Sequence, residues 1–491
     1  MKDLSQDLNR ISECRLKIWG VVVLLLLTAG YFVSFSYITH RMLLVLFAGI
    51  AIIILFLLRP KPGFWLPVLP IVFVVGGGTL PFGEFNPAIS TIAVIAFTLF
   101  YAADRILWNK PLFVPSSFLL FFIIALLIQV CSVFISIHHH EQYTWNAIRD
   151  GSSLFLFFPL AVIIPSICRT EDKINQIIRA VVLTLLVASL VGVMQYFSIT
   201  TFSRVDMGLG YLYRGRIASF FGNPNIFAGY IELCIPLAIA LFFKEKKYRW
   251  KIAAFVAVTL GILSVLYTFS RGGLICTFIG CGITLLYVFR KKVWIPVLIG
   301  LAAVVILISF MGTFERQMSF FMNPEAHMNQ PTILHRYVSY RGFINQFMES
   351  PETGVGWGAK EYYWGRSLLY SFWEVRHCRS TKRIPMFGGL NSLFLNHMVK
   401  GGLLSLTSVL LVLAVIFAVF IKAMKNGKGV LAVALAAGLF SFMGHQIVGN
   451  QIRFPTVNSQ FWIITGLLLA LTASSSGRSD VENREISQLP S

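Results

Sequence analysis

Two arginines stand at the edges of strongly apolar segments, in sequence contexts that ordinary membrane packing does not explain. Arg216 opens the segment RIASFFGNPN, which ends at Asn225 just before an apolar run, and Arg271 lies in the segment FSRGG between two apolar runs. An arginine at a helix centre within hydrocarbon costs roughly 2.5–3.5 kcal/mol, so it usually has a partner. Because a guanidinium is planar, always charged and carries five N–H donors, it suits a phosphate better than other side chains do. If both arginines face one side of a membrane, they predict a clamp for a diphosphate.

The residues around these arginines also favour an anion site. Asn223 is placed to cap the helix that follows it, and a helix N-terminus carries a partial positive charge. The segment from Ser270 to Gly273 also opens a helix, and its glycines allow the backbone to approach a ligand closely. The alternative is that each arginine extends to the membrane surface and contacts lipid headgroups, as arginines near helix ends often do.

The composition is that of a membrane protein with many helices. The chain has 491 residues, of which 56% are hydrophobic and 13% are charged, and a mean hydropathy of +0.75. A soluble chain carries about 25% charged residues. A helix needs about 20 apolar residues to cross the hydrocarbon core, and this length predicts an all-α polytopic protein with about 12–14 transmembrane helices. The candidate spans are Ile18–Ile38, Met42–Leu58, Phe64–Leu80, Ile89–Ala103, Val114–Ile137, Ser152–Ile167, Ile177–Phe197, Ile226–Phe243, Ile252–Tyr267, Gly272–Phe289, Val293–Phe310, Leu403–Ile421, Val430–Gln446 and Val457–Leu471.

Lysine and arginine are distributed unequally between the two sets of alternate loops. With the N-terminus in the cytoplasm, the lysine-dense segments 244–251, 290–292 and 422–428 all fall on the cytoplasmic side. Membrane proteins concentrate basic residues there, so the net charge of +20 reflects topology, and we expect no nucleic-acid partner. The basic residues of the short opposite loops are all arginines, which phosphate recognition would explain. They are Arg41, Arg149, Arg204, Arg214, Arg216, Arg271 and Arg453.

This topology divides the chain into five parts. Residues 1–17 are a cytoplasmic N-terminus, 18–310 carry the first eleven or so helices with both arginine motifs, and 311–390 form a large extracytoplasmic loop. Residues 391–473 carry the C-terminal helices, and 474–491 are a disordered cytoplasmic tail. The loop is too long for an idle connection.

Within the large loop, Pro331 and Pro351 bracket a segment with a rough apolar stripe, which predicts an amphipathic helix lying over the membrane. Arg336 and Arg341 lie on this helix. They either form its solvated face or complete the phosphate site.

Polar residues inside the apolar runs have competing interpretations. Glu232 lies six residues into its predicted span. A carboxylate within a membrane marks a functional site by default, but an ion pair with a buried arginine would explain it equally well. His445, Gln446 and Asn450 are expected to form hydrogen bonds between helices.

The chain offers little that would hold a metal or a cofactor. The run His138-His139-His140 has ligand chemistry, but no second cluster of ligands accompanies it, and an exposed polar loop is the favoured interpretation. The glycine-rich nucleotide motifs, the HExxH metalloprotease motif and the GxSxG nucleophile motif do not occur. We therefore expect neither a metal nor a cofactor.

Four motifs in order resemble the O-antigen ligase and O-antigen polymerase superfamily. They are Arg216 with FFGNPN at 220–225, SRGG at 270–273, Arg336 followed by PETGVGWG at 351–358, and NSLFL from Asn391 to a glycine pair at 401–402. The resemblance covers about Tyr211 to Leu404, and the N-terminal half is similar only in hydropathy.

The resemblance implies a bacterial multi-pass glycosyltransferase of the GT-C type in the cytoplasmic membrane. Its donor would be a glycan on undecaprenyl diphosphate, its acceptor a sugar hydroxyl, and its product an inverted glycosidic bond formed without a metal. A flippase and chain-length or export proteins are further candidate partners, beside the membrane lipids. The implied catalytic residues are Arg216, Arg271 and Arg336. The implied substrate-binding residues are Arg214, Asn223, Asn225, Arg341 and Asn391.

One residue departs from the family pattern. Ligases of this family carry a histidine before the asparagine of the fourth motif, and it is taken as the catalytic base, whereas this chain has Leu390 before Asn391. Leucine cannot accept a proton. The departure favours a polymerase or a divergent member, such as one that makes teichuronic acid or another secreted polysaccharide. Other candidate bases are Glu361, Glu374, His335, His377 and the nearby His397.

Two other classes remain open from sequence. A lipid-linked oligosaccharide flippase or secondary transporter would also have many helices and intramembrane polar groups, but transporters typically show two related halves, and no such symmetry is visible here. A non-catalytic scaffold for polysaccharide assembly is the third class, and Leu390 keeps it open.

Overall fold

The computed structural model of the chain describes residues 62–75, 89–107, 117–140, 144–197, 216–290, 343–358, 392–425 and 429–486, together with the single positions 292 and 340. These residues form helices and turns and contain no strand. The helices are α1 (Pro62–Trp65), α2 (Leu69–Val75), α3 (Ile89–Leu107), α4 (Ser117–His140), α5 (Thr144–Gly151), α6 (Pro159–Ile167), α7 (Glu171–Tyr196), α8 (Pro224–Lys244), α9 (Tyr248–Tyr267), α10 (Arg271–Val288), α11 (343–349), α12 (Leu393–Lys425), α13 (Gly429–His445) and α14 (Pro455–Ile486).

The all-α polytopic membrane fold is confirmed. Among the described residues, six helices are long and apolar enough to cross a membrane: α4, α7, α8, α9, α10 and α12. The bounds of α7, α8, α9 and α10 each include most of the span predicted from hydropathy, because an uninterrupted apolar run of this length has no other stable conformation in hydrocarbon.

Three predicted segments differ from the structure. The span Ser152–Ile167 is only partly helical: residues 152–158 form turns, and α6 starts at Pro159, whose missing N–H and fixed φ suit a first helical turn. Helix α12 begins at Leu393, before the predicted span Leu403–Ile421, and is interrupted at Gly402, where φ is 66°. The predicted disordered tail from Ser474 is helical as far as Ile486, over a stretch without proline.

Helix α8 is the central helix of the bundle. The apolar window of α8 is 89% buried, compared with 28–56% for the other five long helices. It packs against α7, α9, α10 and α13. Glu232, near the middle of α8, is fully buried there.

The ends of α7 and α8 define two opposite sides of the bundle. At one side, Lys244 at the end of α8 pairs with Glu171 at the start of α7, and Arg179 pairs with Glu245 at 2.5 Å. At the other side, Gln195 near the end of α7 holds Ser219, just before α8. The lysine-dense segment and the Arg216 segment therefore lie at opposite ends of the same two antiparallel helices.

The segment 351–358 packs against α12 at its break near Gly402. The N–H groups of Val355 and Gly356 donate to the carbonyl oxygens of Val399 and Lys400, at 2.8 and 3.0 Å. At Gly402, a Cβ would lie 2.2 Å from the Glu352 carbonyl oxygen, so only glycine permits this approach. The segment of the large loop is thereby fixed to a membrane helix.

All seven residues of α11 belong to the segment predicted as an amphipathic helix, and two of them, Ile344 and Met348, belong to its predicted apolar stripe. Ile344 and Met348 are 49% and 70% exposed, whereas Phe343 packs against Val399. The aromatic face of α11, and not the predicted apolar stripe, contacts the rest of the protein.

Candidate functional site

The two arginine motifs contact each other directly. The Arg216 Nε donates a hydrogen bond to the Thr268 carbonyl oxygen at 2.6 Å, three residues before Arg271. The backbone N–H of Ile217 donates to the Tyr267 carbonyl oxygen at 3.2 Å. The segment that begins at Arg216 therefore runs along the end of α9, beside the turn that leads into α10.

A second hydrogen bond fixes the plane of the Arg216 guanidinium. Its Nη2 donates to the Asn225 Oδ1 at 3.0 Å. Asn225 is held in turn, because its backbone N–H donates to the Asn223 Oδ1 at 2.8 Å. Asn223 is thus the N-cap of α8, with Pro224 at the first helical position, and the predicted cap is confirmed.

The backbone after Arg216 is held by α7. The Gln195 Oε1 accepts from the N–H groups of Ala218 and Ser219 at 3.2 and 2.8 Å, and its Nε2 donates to the Ser219 carbonyl oxygen at 3.1 Å. The Ser219 Oγ donates to the Ala188 carbonyl oxygen at 2.6 Å. These four bonds fix a short 3₁₀ turn between Arg216 and α8.

Arg271 is the first residue of α10 and is exposed. Ser270 is the N-cap, and its Oγ accepts from the Gly273 N–H at 3.4 Å, so the predicted helix start is confirmed. The turn before it is closed by Thr268, whose Oγ1 accepts from the Ser270 N–H at 3.2 Å. Arg271 thus extends from a helix N-terminus, where backbone N–H groups add to its positive charge.

The backbone is strained beside both arginines. Among the described residues, Ser219 and Phe269 are the two non-glycine residues with positive φ, at 51° and 49°. They lie three residues after Arg216 and two residues before Arg271. Such conformations cost about 1–3 kcal/mol each and cluster at functional sites. The two strained positions therefore coincide with the predicted site.

A third element reaches the same region through the turn after α13. His445, the last residue of α13, lies under Gly272, where an added Cβ would come 2.7 Å from the His445 Nε2. The first helical N–H of α12, that of Leu393, donates to the Gln446 carbonyl oxygen at 2.9 Å. The start of α12 and the start of α10 are therefore both attached to the turn that follows His445.

Several predicted site residues lie outside the described residues. Of the predicted arginine and asparagine site, Arg216, Arg271, Asn223 and Asn225 are described and are brought together. The residues outside are Arg214, Arg336, Arg341, Asn391, Leu390, Glu361, Glu374, His335 and His377.

His397, the one described member of the candidate bases, is buried between α4 and α12. It is 0% exposed and its Nδ1 lies 2.8 Å from the Ser405 Oγ. Ser405 donates to the Gln129 Oε1 at 2.7 Å, so the His397 Nδ1 must be the donor to Ser405. Trp357 packs edge-on against the ring at 5.0 Å. These contacts give His397 a structural role at the α4–α12 interface.

One family of known proteins is similar to part of this arrangement. Residues 254–381 match the O-antigen ligase family model. This part of the chain is similar to O-antigen ligases. No curated protein matches the chain in a sequence search.

The O-antigen ligase match confirms the resemblance found from the motifs. It begins within α9, includes Arg271 and α10, and covers most of the large loop with Arg336 and Arg341. It supports a glycosyltransferase-like role in polysaccharide assembly at a membrane, for a protein that crosses the membrane several times. Arg216 and Asn391 lie outside the matched residues, and Arg216 is connected to the matched part by its bond to Thr268.

The sequence interpretation missed three residues of the site. Gln195, Thr268 and Gln451 each hold the backbone or a side chain of the arginine region. The sequence signal that could have identified Gln195 is a polar residue at the end of an apolar run. Of the two interpretations that the sequence left open for Glu232, the ion pair with a buried arginine is replaced by a bond to His445, at 2.6 Å.

Proposed function

We propose that this chain is a membrane glycosyltransferase that polymerises, or ligates, glycan units carried on undecaprenyl diphosphate into a secreted or cell-surface polysaccharide. The observation that carries the proposal is the bond between Arg216 and Thr268, which brings two arginine motifs and two helix N-termini to one place. The O-antigen ligase match of residues 254–381 supports the reaction class.

In the proposed reaction, Arg216 and Arg271 bind the diphosphate of the donor. The acceptor hydroxyl oxygen attacks the anomeric carbon and forms the new glycosidic bond, while the bond from that carbon to the diphosphate oxygen breaks. Negative charge develops on the leaving diphosphate, and donors that are already oriented stabilise it most effectively. A single displacement of this kind inverts the anomeric configuration and calls for no metal.

The remaining predicted residues complete the proposed site. Asn225 orients Arg216 through the bond to its Nη2, and Asn223 fixes the start of α8 and the position of Asn225 by capping the helix. Arg336 is the proposed third catalytic arginine. Arg214, Arg341 and Asn391 are proposed to bind the donor or the acceptor. Undecaprenyl chains require access from the bilayer, so membrane lipids border the site.

The acceptor proton leaves without an imidazole at position 390. It passes either to another residue of the large loop, with Glu361, Glu374, His335 and His377 as candidates, or to the departing diphosphate itself. General-base help is typically worth about 10²–10⁴ in rate, so strong stabilisation of the leaving group can compensate for its absence. Leu390 favours polymerisation over ligation for this reason.

Purified protein in detergent tests the proposal. With an undecaprenyl-diphosphate-linked glycan as donor, the enzyme should lengthen or transfer the glycan and release undecaprenyl diphosphate. A flippase, a transporter or a scaffold would leave the glycan unchanged under the same conditions, and that result would refute the proposal.

A further inference from the structure

A continuous chain of hydrogen-bonded side chains lies beneath Arg271. Glu232 on α8 and His445 on α13 join at 2.6 Å, between the Glu232 Oε1 and the His445 Nδ1. The His445 Nε2 lies 3.2 Å from the Gln451 Nε2, and the Gln446 Nε2 lies 2.7 Å from the Gln451 Oε1. All four side chains are 4% exposed or less.

The direction of each hydrogen bond follows from the backbone. The Gln446 Oε1 accepts from the N–H groups of Gln451 and Ile452, so the other end of that amide must be its donor. Gln446 therefore donates to the Gln451 Oε1, and the Gln451 Nε2 must donate to the His445 Nε2. With its Nε2 accepting, His445 carries its proton on Nδ1 and donates it to the Glu232 carboxylate.

The two glycines after Arg271 pack directly against Glu232 and His445. A Cβ at Gly272 would stand 2.7 Å from the His445 Nε2, and a Cβ at Gly273 would stand 3.1 Å from the Glu232 Oε1 and 2.5 Å from the Ala228 Cβ. The sequence suggested that these glycines let the backbone approach a ligand. In the structure, their close approach is to the Glu232–His445 pair.

We propose that Glu232 and His445 are positioning residues that set the location of Arg271 by supporting the first turn of α10. The inference rests on the proposed diphosphate site. A carboxylate near a helix N-terminus is favourable electrostatically, and the imidazole has its orientation fixed at both nitrogens. The Glu232–His445 pair therefore supports the first turn of α10 rigidly. Arg271 is thereby held at a fixed distance from the Arg216–Thr268 bond.

The geometry also provides a matched control. Ser441 on α13 donates to the Cys276 carbonyl oxygen on α10, so it joins α13 to α10, as the approach of Gly272 to His445 does, but through a different contact. If the pair acted only as general helix packing, replacing Ser441 would have an effect similar to replacing the pair. Ser441→Ala separates the two possibilities.

The test measures glycan transfer and binding of undecaprenyl diphosphate by purified variants of equal folded content. His445→Leu should lower the transfer rate by about 10²-fold, the size of effect expected from a misplaced catalytic group. His445→Asn should restore much of it, because the amide nitrogen can still donate to Glu232. Glu232→Gln should also be milder than Glu232→Ala, since its amide oxygen still accepts from His445.

The decisive comparison combines these changes with Arg271→Lys. If the pair acts through Arg271, then His445→Leu should cost far less in the Arg271→Lys background than in the wild type, because coupled residues are not additive. Ser441→Ala should be within about twofold of wild type, as expected for an independent site.

Equal losses in both backgrounds, or a normal rate for His445→Leu, would overturn the inference while the proposed function stands. A wild-type protein that neither transfers glycan nor binds undecaprenyl diphosphate would instead refute the proposed function, and the inference with it.

Discussion

Arg216 and Thr268 are joined by a hydrogen bond of 2.6 Å from the guanidinium Nε to the backbone carbonyl oxygen. This bond connects the segment before α8 with the turn between α9 and α10. It places one arginine beside the turn from which the other extends, and it makes the two motifs one structural unit.

Asn225 should determine how much of the positive charge of Arg216 is available to a bound diphosphate. Its Oδ1 accepts from the Arg216 Nη2 at 3.0 Å. Asn225→Ala removes a hydrogen bond to a charged group, worth about 1.5–3 kcal/mol, and should slow transfer. Asn225→Asp keeps an acceptor but neutralises the guanidinium, so we expect it to bind undecaprenyl diphosphate more weakly than Asn225→Ala does. A tighter binding by Asn225→Asp would contradict an anion site at Arg216.

The glycines of α10 should differ in their tolerance of alanine. A Cβ at Gly273 would stand 2.5 Å from the Ala228 Cβ, whereas a Cβ at Gly282 would have no neighbour within 4 Å. Gly273→Ala should lower stability by about 1–3 kcal/mol through overpacking, and it should displace Arg271. Gly282→Ala should be neutral or stabilising, because alanine favours a helix by about 1 kcal/mol over glycine. Thermal unfolding in detergent and the transfer rate would compare the two variants. Equal stability and equal rate for Gly273→Ala and Gly282→Ala would contradict the packing described for α10.

His397 should prove structural rather than catalytic. Its ring is fully buried and bonded to Ser405, so it is not positioned to reach an acceptor hydroxyl. We expect His397→Gln to lower thermal stability while the rate per folded molecule stays near that of the wild type. In the same assay, Leu390→His is expected to give no large gain. A severe loss of rate in a stable His397→Gln protein would identify His397 as a base after all.

The fold was largely predictable from the sequence, because hydropathy determines where helices can lie in a membrane. The caps at Asn223 and Ser270 were predictable for a local reason: both are short polar residues directly before a helix. The partner of Glu232 was not, because His445 lies 213 residues away and no local pattern encodes that pairing. The left-handed conformation of Phe269 was equally hidden, since aromatic residues rarely adopt it and only the surrounding contacts impose it.

The predicted topology can be tested at two exposed positions that it places on opposite sides of the membrane. Glu352 lies in the segment attached to the break of α12, and Lys425 ends the same helix. In cells whose outer layer admits the reagent, an impermeant thiol reagent should label Glu352→Cys and spare Lys425→Cys, relative to the parent chain. The opposite labelling pattern would place both arginine motifs in the cytoplasm, away from a secreted polysaccharide.

The most direct test of the arginine site is the transfer rate of purified Arg216→Ala and Arg271→Ala proteins with an undecaprenyl-diphosphate-linked glycan. Each change should cost roughly 10²–10³ in rate, the loss seen when one preoriented donor to a developing negative charge is removed. Lysine at either position should restore little, because it keeps the charge but not the two-pronged guanidinium geometry. Unfolding temperatures close to that of the wild type would attribute the loss to the site. A correctly folded alanine variant that transfers glycan at nearly the wild-type rate would remove that arginine from the site and contradict the account.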